Sequence, residues 1–172
     1  MTTEWEQRLA AAWASLEQVP DDDEPAAEAF RARIDALASE LPDGSGIGYF
    51  ERACAFDSTG HSDLAVPLYR EALALGLTGL RRRRAVIQLA SSLRNVGRPE
   101  ESVALLTEEL AREVDPEAAE LHLAAHCVLA LALTSLDRDR AAVSLLIGAI
   151  APTLPRYQRS MANYARLLVE PT

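Results

Sequence analysis

Apolar residues along this chain recur every three or four positions, with polar residues filling the gaps. Trp5, Leu9, Trp13 and Leu16 are spaced in this way, as are Phe30, Ile34, Leu37 and Leu41. Near the end, Leu154, Tyr157, Met161, Tyr164 and Leu168 repeat the pattern. This is the period of an α-helix that buries one stripe. No segment alternates apolar and polar residues as a half-buried strand does. Turn signals interrupt the helical stretches at regular intervals: Pro20 to Pro25, Pro42 to Gly48, Gly60, Gly76 to Gly79, Gly97 to Pro99, Asp115-Pro116, Asp137 to Asp139 and Pro152 to Pro155. The pattern predicts an all-α chain of about nine helices joined by short loops, so that neighbours run antiparallel.

The helices also repeat. Cys54 to Gly60 aligns with Ser91 to Gly97 at an offset of 37, matching the two turn glycines, Phe56 with Leu93, Ala65 with Ser102, Tyr69 with Leu106 and Leu73 with Leu110. A further offset of 40 places Leu133, Asp137, Ala142, Leu146 and Ile150 in the same columns. Three hairpins therefore share one template. A helix ends in a Gly or Asp turn, and the next helix carries a small residue and then a large one four positions later. The small residue lets two helices approach, and the large one fills the space above it.

Ala65, Tyr69 and Ala72 after Gly60 resemble the second half of a tetratricopeptide repeat, with Phe56 and Tyr49 at the first helix's aromatic positions. The units at Ser102, Leu106 and Glu109 and at Ala142, Leu146 and Ala149 are similar but looser. The runs Tyr49 to Ala53, Gln88 to Asn95 and Tyr157 to Tyr164 look like a small bacterial subfamily of tetratricopeptide-like proteins. The resemblance implies an α-solenoid of antiparallel helix hairpins coiled as a right-handed superhelix. We therefore expect a single helical-repeat domain over residues 1–172. In it, residues 1–43 would form an N-terminal capping hairpin, 46–153 three repeat hairpins and 154–169 a C-terminal capping helix. Terminal units of such a stack must cover its apolar ends.

Composition narrows the function. The chain has 172 residues and a formal charge of −9, which argues against nucleic acid and anionic membrane as partners. All seventeen basic residues are Arg, so Schiff-base chemistry and a lysine phosphate loop are excluded. Two cysteines, Cys54 and Cys127, lack disulfide-framework or zinc-finger spacing and are expected to be buried free thiols. The acidic start of the chain does not read as a signal peptide. The apolar stretch Leu121 to Leu136, interrupted by His122 and His126, is too short to span a bilayer. A cytoplasmic, reduced protein is expected.

Several constellations bear on chemistry. His122 and His126 share a helix face and could chelate a divalent ion, but the residue after His122 is Leu123 rather than the Glu of a zinc peptidase, and Cys127 points elsewhere. His126 also falls in the column of Tyr49 and Val86, a packing position, so no metal is assigned. Asp57, Ser58, Thr59 and His61 crowd one turn and read as local caps rather than a nucleophile arrangement. Asp21 to Glu24 lacks the alternation of a calcium loop, and Gly44 to Gly48 follows no strand, so both read as connections. No catalytic set and no cofactor are expected.

Charge is unevenly spread. Residues 70–98 hold seven Arg and one acid, whereas residues 1–28 hold eight acids and one Arg. The consecutive arginines Arg81 to Arg84 point 100° apart and cannot form one flat patch. In tetratricopeptide arrays the first helix of each hairpin lines a concave, ligand-binding face. That resemblance puts Glu51, Cys54 and Asp57, then Arg84, Gln88, Ser91, Arg94 and Asn95, then Cys127, Leu131 and Thr134 on that face. Glu51, Asp57, Arg84, Gln88, Ser91, Arg94 and Asn95 are the expected peptide-binding residues, and Arg94 could fork onto a carboxylate, either Asp57 or an acid of the guest. The family's carboxylate clamp of Lys and Asn is not reproduced. The leading expectation is a non-enzymatic scaffold holding a peptide or protein partner, with an acidic or carboxylate group, in its groove. The alternatives are a small-ligand or metal-responsive sensor using Arg84 and Arg94 or His122 and His126, and a self-assembling structural protein, for which a homodimer would lengthen the groove.

Overall fold

The computed structural model describes residues 3–20, 22–113 and 115–170. Among these residues the chain forms nine α-helices and no strand, as the periodicity predicts. It divides into two compact units, Met1–Gln88 and Leu89–Thr172. The first holds α1 (Thr3–Ala14), α2 (Glu24–Ala38), α3 (Gly46–Ser58), α4 (Ser62–Ala74) and the start of α5 (Gly79–Asn95). The second holds the rest of α5, α6 (Pro99–Ala111), α7 (His122–Thr134), α8 (Asp139–Ile150) and α9 (Gln158–Leu167).

In the first unit, α1 packs on α2, α2 on α3, and α3 on α4. The stripe read from the sequence is the one buried: Trp5, Leu9 and Ala12 of α1 meet Phe30, Ile34 and Leu37 of α2 and Ala55 of α3. The Trp5 indole N–H donates to the Leu37 carbonyl at 2.9 Å, so the large ring enters the core with its polar edge satisfied. Asp23 caps α2 by accepting from the Ala26 amide at 3.0 Å, with Pro25 in the first turn. Of the acidic run, Asp21 lies outside the described residues. Gly46 packs against α4, where a Cβ would stand 3.0 Å from the Ala72 carbonyl oxygen. Gly46 therefore serves close helix approach.

The three aligned turns share one geometry. Gly60, Gly97 and Asp137 all adopt positive φ, at 84°, 77° and 56°. In each, the next residue's amide reaches back to the first-helix carbonyl five positions earlier: His61 to Phe56 (2.9 Å), Arg98 to Leu93 (2.9 Å) and Arg138 to Leu133 (3.0 Å). The turn residue's own amide bonds Asp57, Arg94 or Thr134 at 3.1 Å. This double closure ends a helix with its last carbonyls satisfied, and glycine adopts it without the Cβ penalty. After the turn, the small residues Ala65, Ser102 and Ala142 are buried, as are Tyr69 and Leu106 above the first two. Leu146, in the third unit, is only half-buried.

In the second unit, α6 packs on α7, α7 on α8, and α8 on α9. A 3-10 turn at Pro116–Leu121 leads into α7, and the joined stretch Pro116–Thr134 is 19 residues long and apolar enough by composition to cross a membrane. This run is longer than the Leu121 to Leu136 segment expected from sequence, and here α6 and α8 flank its helical part. The end of the chain departs from its sequence stripe. Ala165 of α9 is buried, and α8 holds the helix through Ser144 Oγ, which donates to the Ala165 carbonyl at 2.7 Å. Tyr157 is instead 72% exposed, because it takes a left-handed conformation ahead of the helix (φ 68°), and Tyr164 is 57% exposed.

Candidate functional site

The site residues expected from sequence lie on α3 and α5. Helix α5 opens with the arginine quartet, which the helical 100° step sends in different directions. Arg81 turns to the first unit's acids, donating to Glu6 at 2.8 Å and to Glu51 at 3.3 Å. Arg83 is buried, whereas Arg84 is exposed with its guanidinium 5.2 Å over the Phe50 ring. Phe50 is itself buried, so Arg84 rests on an aromatic floor with its fork open to solvent. Arg84 makes no ion pair among the described residues.

Glu51 faces inward. The residue is 3% exposed, and its carboxylate accepts from the Trp13 indole at 2.9 Å as well as from Arg81. Burial pushes its carboxyl above the ordinary Glu range, against the opposing pull of the Trp13 hydrogen bond and the Arg81 charge. Its oxygens are therefore taken up in joining α1, α3 and α5 inside the first unit. Asp57 is likewise held locally, accepting from Ser62 Oγ at 3.2 Å and lying 3.5 Å from the Tyr69 hydroxyl. Beside it, Cys54 is buried and its thiol donates to Gln88 Oε1 at 3.3 Å. Burial pushes the Cys54 thiol up to about 12 and also raises the Tyr69 phenol.

Along α5, Arg84, Gln88, Ser91 and Asn95 recur at four, three and four positions and so share one face. The opposite side supplies Val86, Leu89 and Ala90 to the core. Gln88 and Ser91 are half-buried and Asn95 is exposed. In the second unit Arg94 flanks this face, donating to Ser135 Oγ and Asn95 Oδ1, each at 3.2 Å. It thus meets a hydroxyl and an amide there, and the expected fork onto a carboxylate is not formed within that unit.

The third hairpin's inner positions present Cys127, Leu131 and Thr134 to solvent, with Leu131 49% exposed. The exposed Cys127 corrects the expectation of two buried thiols. Helix α7 is apolar nearly all round, so its periodicity does not reveal which side faces the core. That side is Ala125, Leu129, Ala132 and Leu133. The histidines also sit nearer the surface than a packing column implies: His122 is exposed and His126 half-buried, with ring centres 4.4 Å apart. Among the described residues no group of three or more His, Cys, Asp or Glu side chains clusters as a metal site. The crowded turn at Gly60 is a capping network, with His61 Nδ1 donating to the Thr59 carbonyl at 2.8 Å and Arg31 of α2 donating to Thr59 Oγ1 at 3.0 Å.

Sequence reasoning missed the two partners of Glu51. Trp13 lies 38 residues before it and Arg81 30 residues after it. The one available signal was the surplus of arginine near Arg81 opposite the acids at the start of the chain.

A sequence model of the tetratrico peptide repeat family matches residues 46–168. The crystal structure of a Podosopora anserina protein named for kinesin light chain, built of nearly identical TPR-like repeats, is similar in fold. Its TM-score is 0.68 at 18% identity, covering 96% of this chain and 92% of that one. No curated protein matches the chain. Repeats of this family are in general protein-interaction scaffolds rather than catalysts.

Proposed function

Because this chain belongs to the tetratricopeptide repeat family, we propose that it is a non-enzymatic interaction module that holds an acidic peptide segment at Arg84 and Gln88, on the first-unit stretch of α5. The observation that carries this reading is Arg84: an exposed guanidinium seated on the buried Phe50 ring, with no carboxylate partner among the described residues. In a chain of net charge −9, an exposed arginine on an aromatic floor offers a local cationic anchor. A guest carboxylate would complete a forked, charge-assisted pair there. Gln88, one helical turn further along α5 in the same unit, adds an amide suited to a peptide backbone. Glu51 and Asp57 support this face from within α3 and do not themselves meet the guest.

The test is fluorescence anisotropy against a panel of labelled peptides that differ only in charge. Acidic peptides should bind, neutral and basic ones should not, and Arg84→Glu should reduce binding by about tenfold or more. Equal binding of all peptides, or none, contradicts the proposal.

Self-assembly is a second reading, favoured by the exposed Val143, Ile150, Tyr164 and Leu167 of the second unit. It predicts a sedimentation coefficient that rises with concentration and falls back on Leu167→Glu.

A further inference from the structure

We infer that the docking site at Arg84 and Gln88 is built of donors only, and that Cys54 is the residue that positions Gln88 to donate. The site therefore takes a carboxylate together with a second acceptor oxygen of the guest. This rests on the acidic-peptide reading above and names what the guest presents to it. A guanidinium can only donate, whereas the Gln88 amide carries both an oxygen and a nitrogen, which a half-turn about its last torsion exchanges.

The Cys54 thiol selects between them. It donates to Gln88 Oε1 at 3.3 Å, and the Nε2–H groups have no partner among the described residues. Burial pushes the Cys54 pKa up to about 12, with the Glu51 and Asp57 charges adding to the rise. The sulfur thus keeps its proton at physiological pH and stays a donor. The buried Tyr69 phenol makes a hydrogen bond with the same thiol, so the sulfur is held between α4 and α5. On α3 the acceptors are turned to internal partners: Glu51 takes Trp13 and Arg81, and Asp57 takes Ser62 Oγ. A guest at Arg84 and Gln88 meets a guanidinium fork and an amide N–H pair, one helical turn or about 5.4 Å apart along the axis. One acidic residue spans this with its side-chain carboxylate and its main-chain carbonyl. The side-chain amide of an Asn or Gln brings N–H groups for which neither Arg84 nor the held Gln88 offers an acceptor.

The experiment uses the full chain and a fluorescein-labelled peptide of repeated Glu-Gly. Anisotropy gives affinities for the parent, Cys54→Ala, Cys54→Ser, Gln88→Leu and the Cys54→Ala/Gln88→Leu pair. Cys54→Ala should weaken binding about threefold, because the Gln88 side chain is then free to flip and to change rotamer. Cys54→Ser, which keeps a donor, should restore most of that loss. In the Gln88→Leu background Cys54→Ala should cost nothing further, whereas a role in packing alone would cost the same factor in both backgrounds. In nitrogen-15 spectra of the parent, the Gln88 side-chain amide pair, identified by its absence from Gln88→Leu, should shift when the peptide is added. This measurement stands even where a Cys54 variant fails to fold, which circular dichroism checks. The inference alone is overturned if the parent binds the peptide through Arg84 while the Gln88 side-chain amide signals stay still. It is likewise overturned if Cys54→Ala binds as tightly as the parent, or loses the same factor with and without Gln88. A parent chain that does not bind the peptide overturns the docking reading and this inference together.

Discussion

Trp13 donates its indole N–H to Glu51 at 2.9 Å, linking α1 to the first helix of the repeats through a buried carboxylate. The same carboxylate accepts from Arg81, which also reaches Glu6. A residue expected on the ligand face thus fastens the N-terminal hairpin to α3 and α5.

Trp13→Phe keeps much of the ring's contact with Phe30, whose centre is 5.3 Å away, but removes the donor. It leaves a buried Glu51 oxygen without that hydrogen bond, so stability should fall by about 1–3 kcal/mol. Urea denaturation followed by circular dichroism measures it, and an unchanged midpoint contradicts the arrangement.

Glu51 also sets a pH dependence. Its folded-state pKa is raised above the ordinary 4.5, chiefly by burial, so the folded protein binds its proton more tightly than the unfolded chain does. The resulting stabilisation is present below pH 4.5 and is lost as pH rises through the raised value. Relative to Glu51→Gln, the parent protein should therefore be more stable at pH 4 than at pH 7. Paired denaturation curves at the two pH values give the difference.

The two thiols should differ sharply in reactivity. With its pKa pushed up to about 12, buried Cys54 is about one part in ten thousand thiolate at pH 8, whereas Cys127 is exposed. Iodoacetamide on the native protein should modify Cys127 alone, read by peptide mass spectrometry. Equal labelling would place Cys54 outside the core.

Tyr69 tests the packing column. Tyr69→Phe keeps the ring and loses a long contact with Asp57 and a hydrogen bond with the Cys54 thiol, costing about 0.5–1.5 kcal/mol. Tyr69→Ala empties a fully buried position and should cost about 3–5 kcal/mol. Calorimetric melting of the two variants separates these values.

The fold was legible because helical stripes and turn residues agree with each other. The offsets of 37 and 40 brought Gly60, Gly97 and Asp137 into register, and their shared hydrogen bonding shows why a Gly or Asp was needed there. Arg84, Gln88, Ser91 and Asn95 were legible as one face because they follow the helical period. The direction of Glu51 was not, since it depends on Trp13 and Arg81, far away in sequence. Nor was the exposure of Cys127, because α7 is apolar on nearly every side. Tyr157 fits the last helix's period, but its positive φ takes it out of that helix.

The central claim is that a partner docks at Arg84 and Gln88 of α5. The most direct measurement is a nitrogen-15 NMR titration of the labelled protein with an acidic peptide. The account predicts that shifts concentrate at the amides of Arg84 and Gln88 and at the Arg84 Nε–H. Saturable shifts confined to the outer faces of α8 and α9 would contradict it.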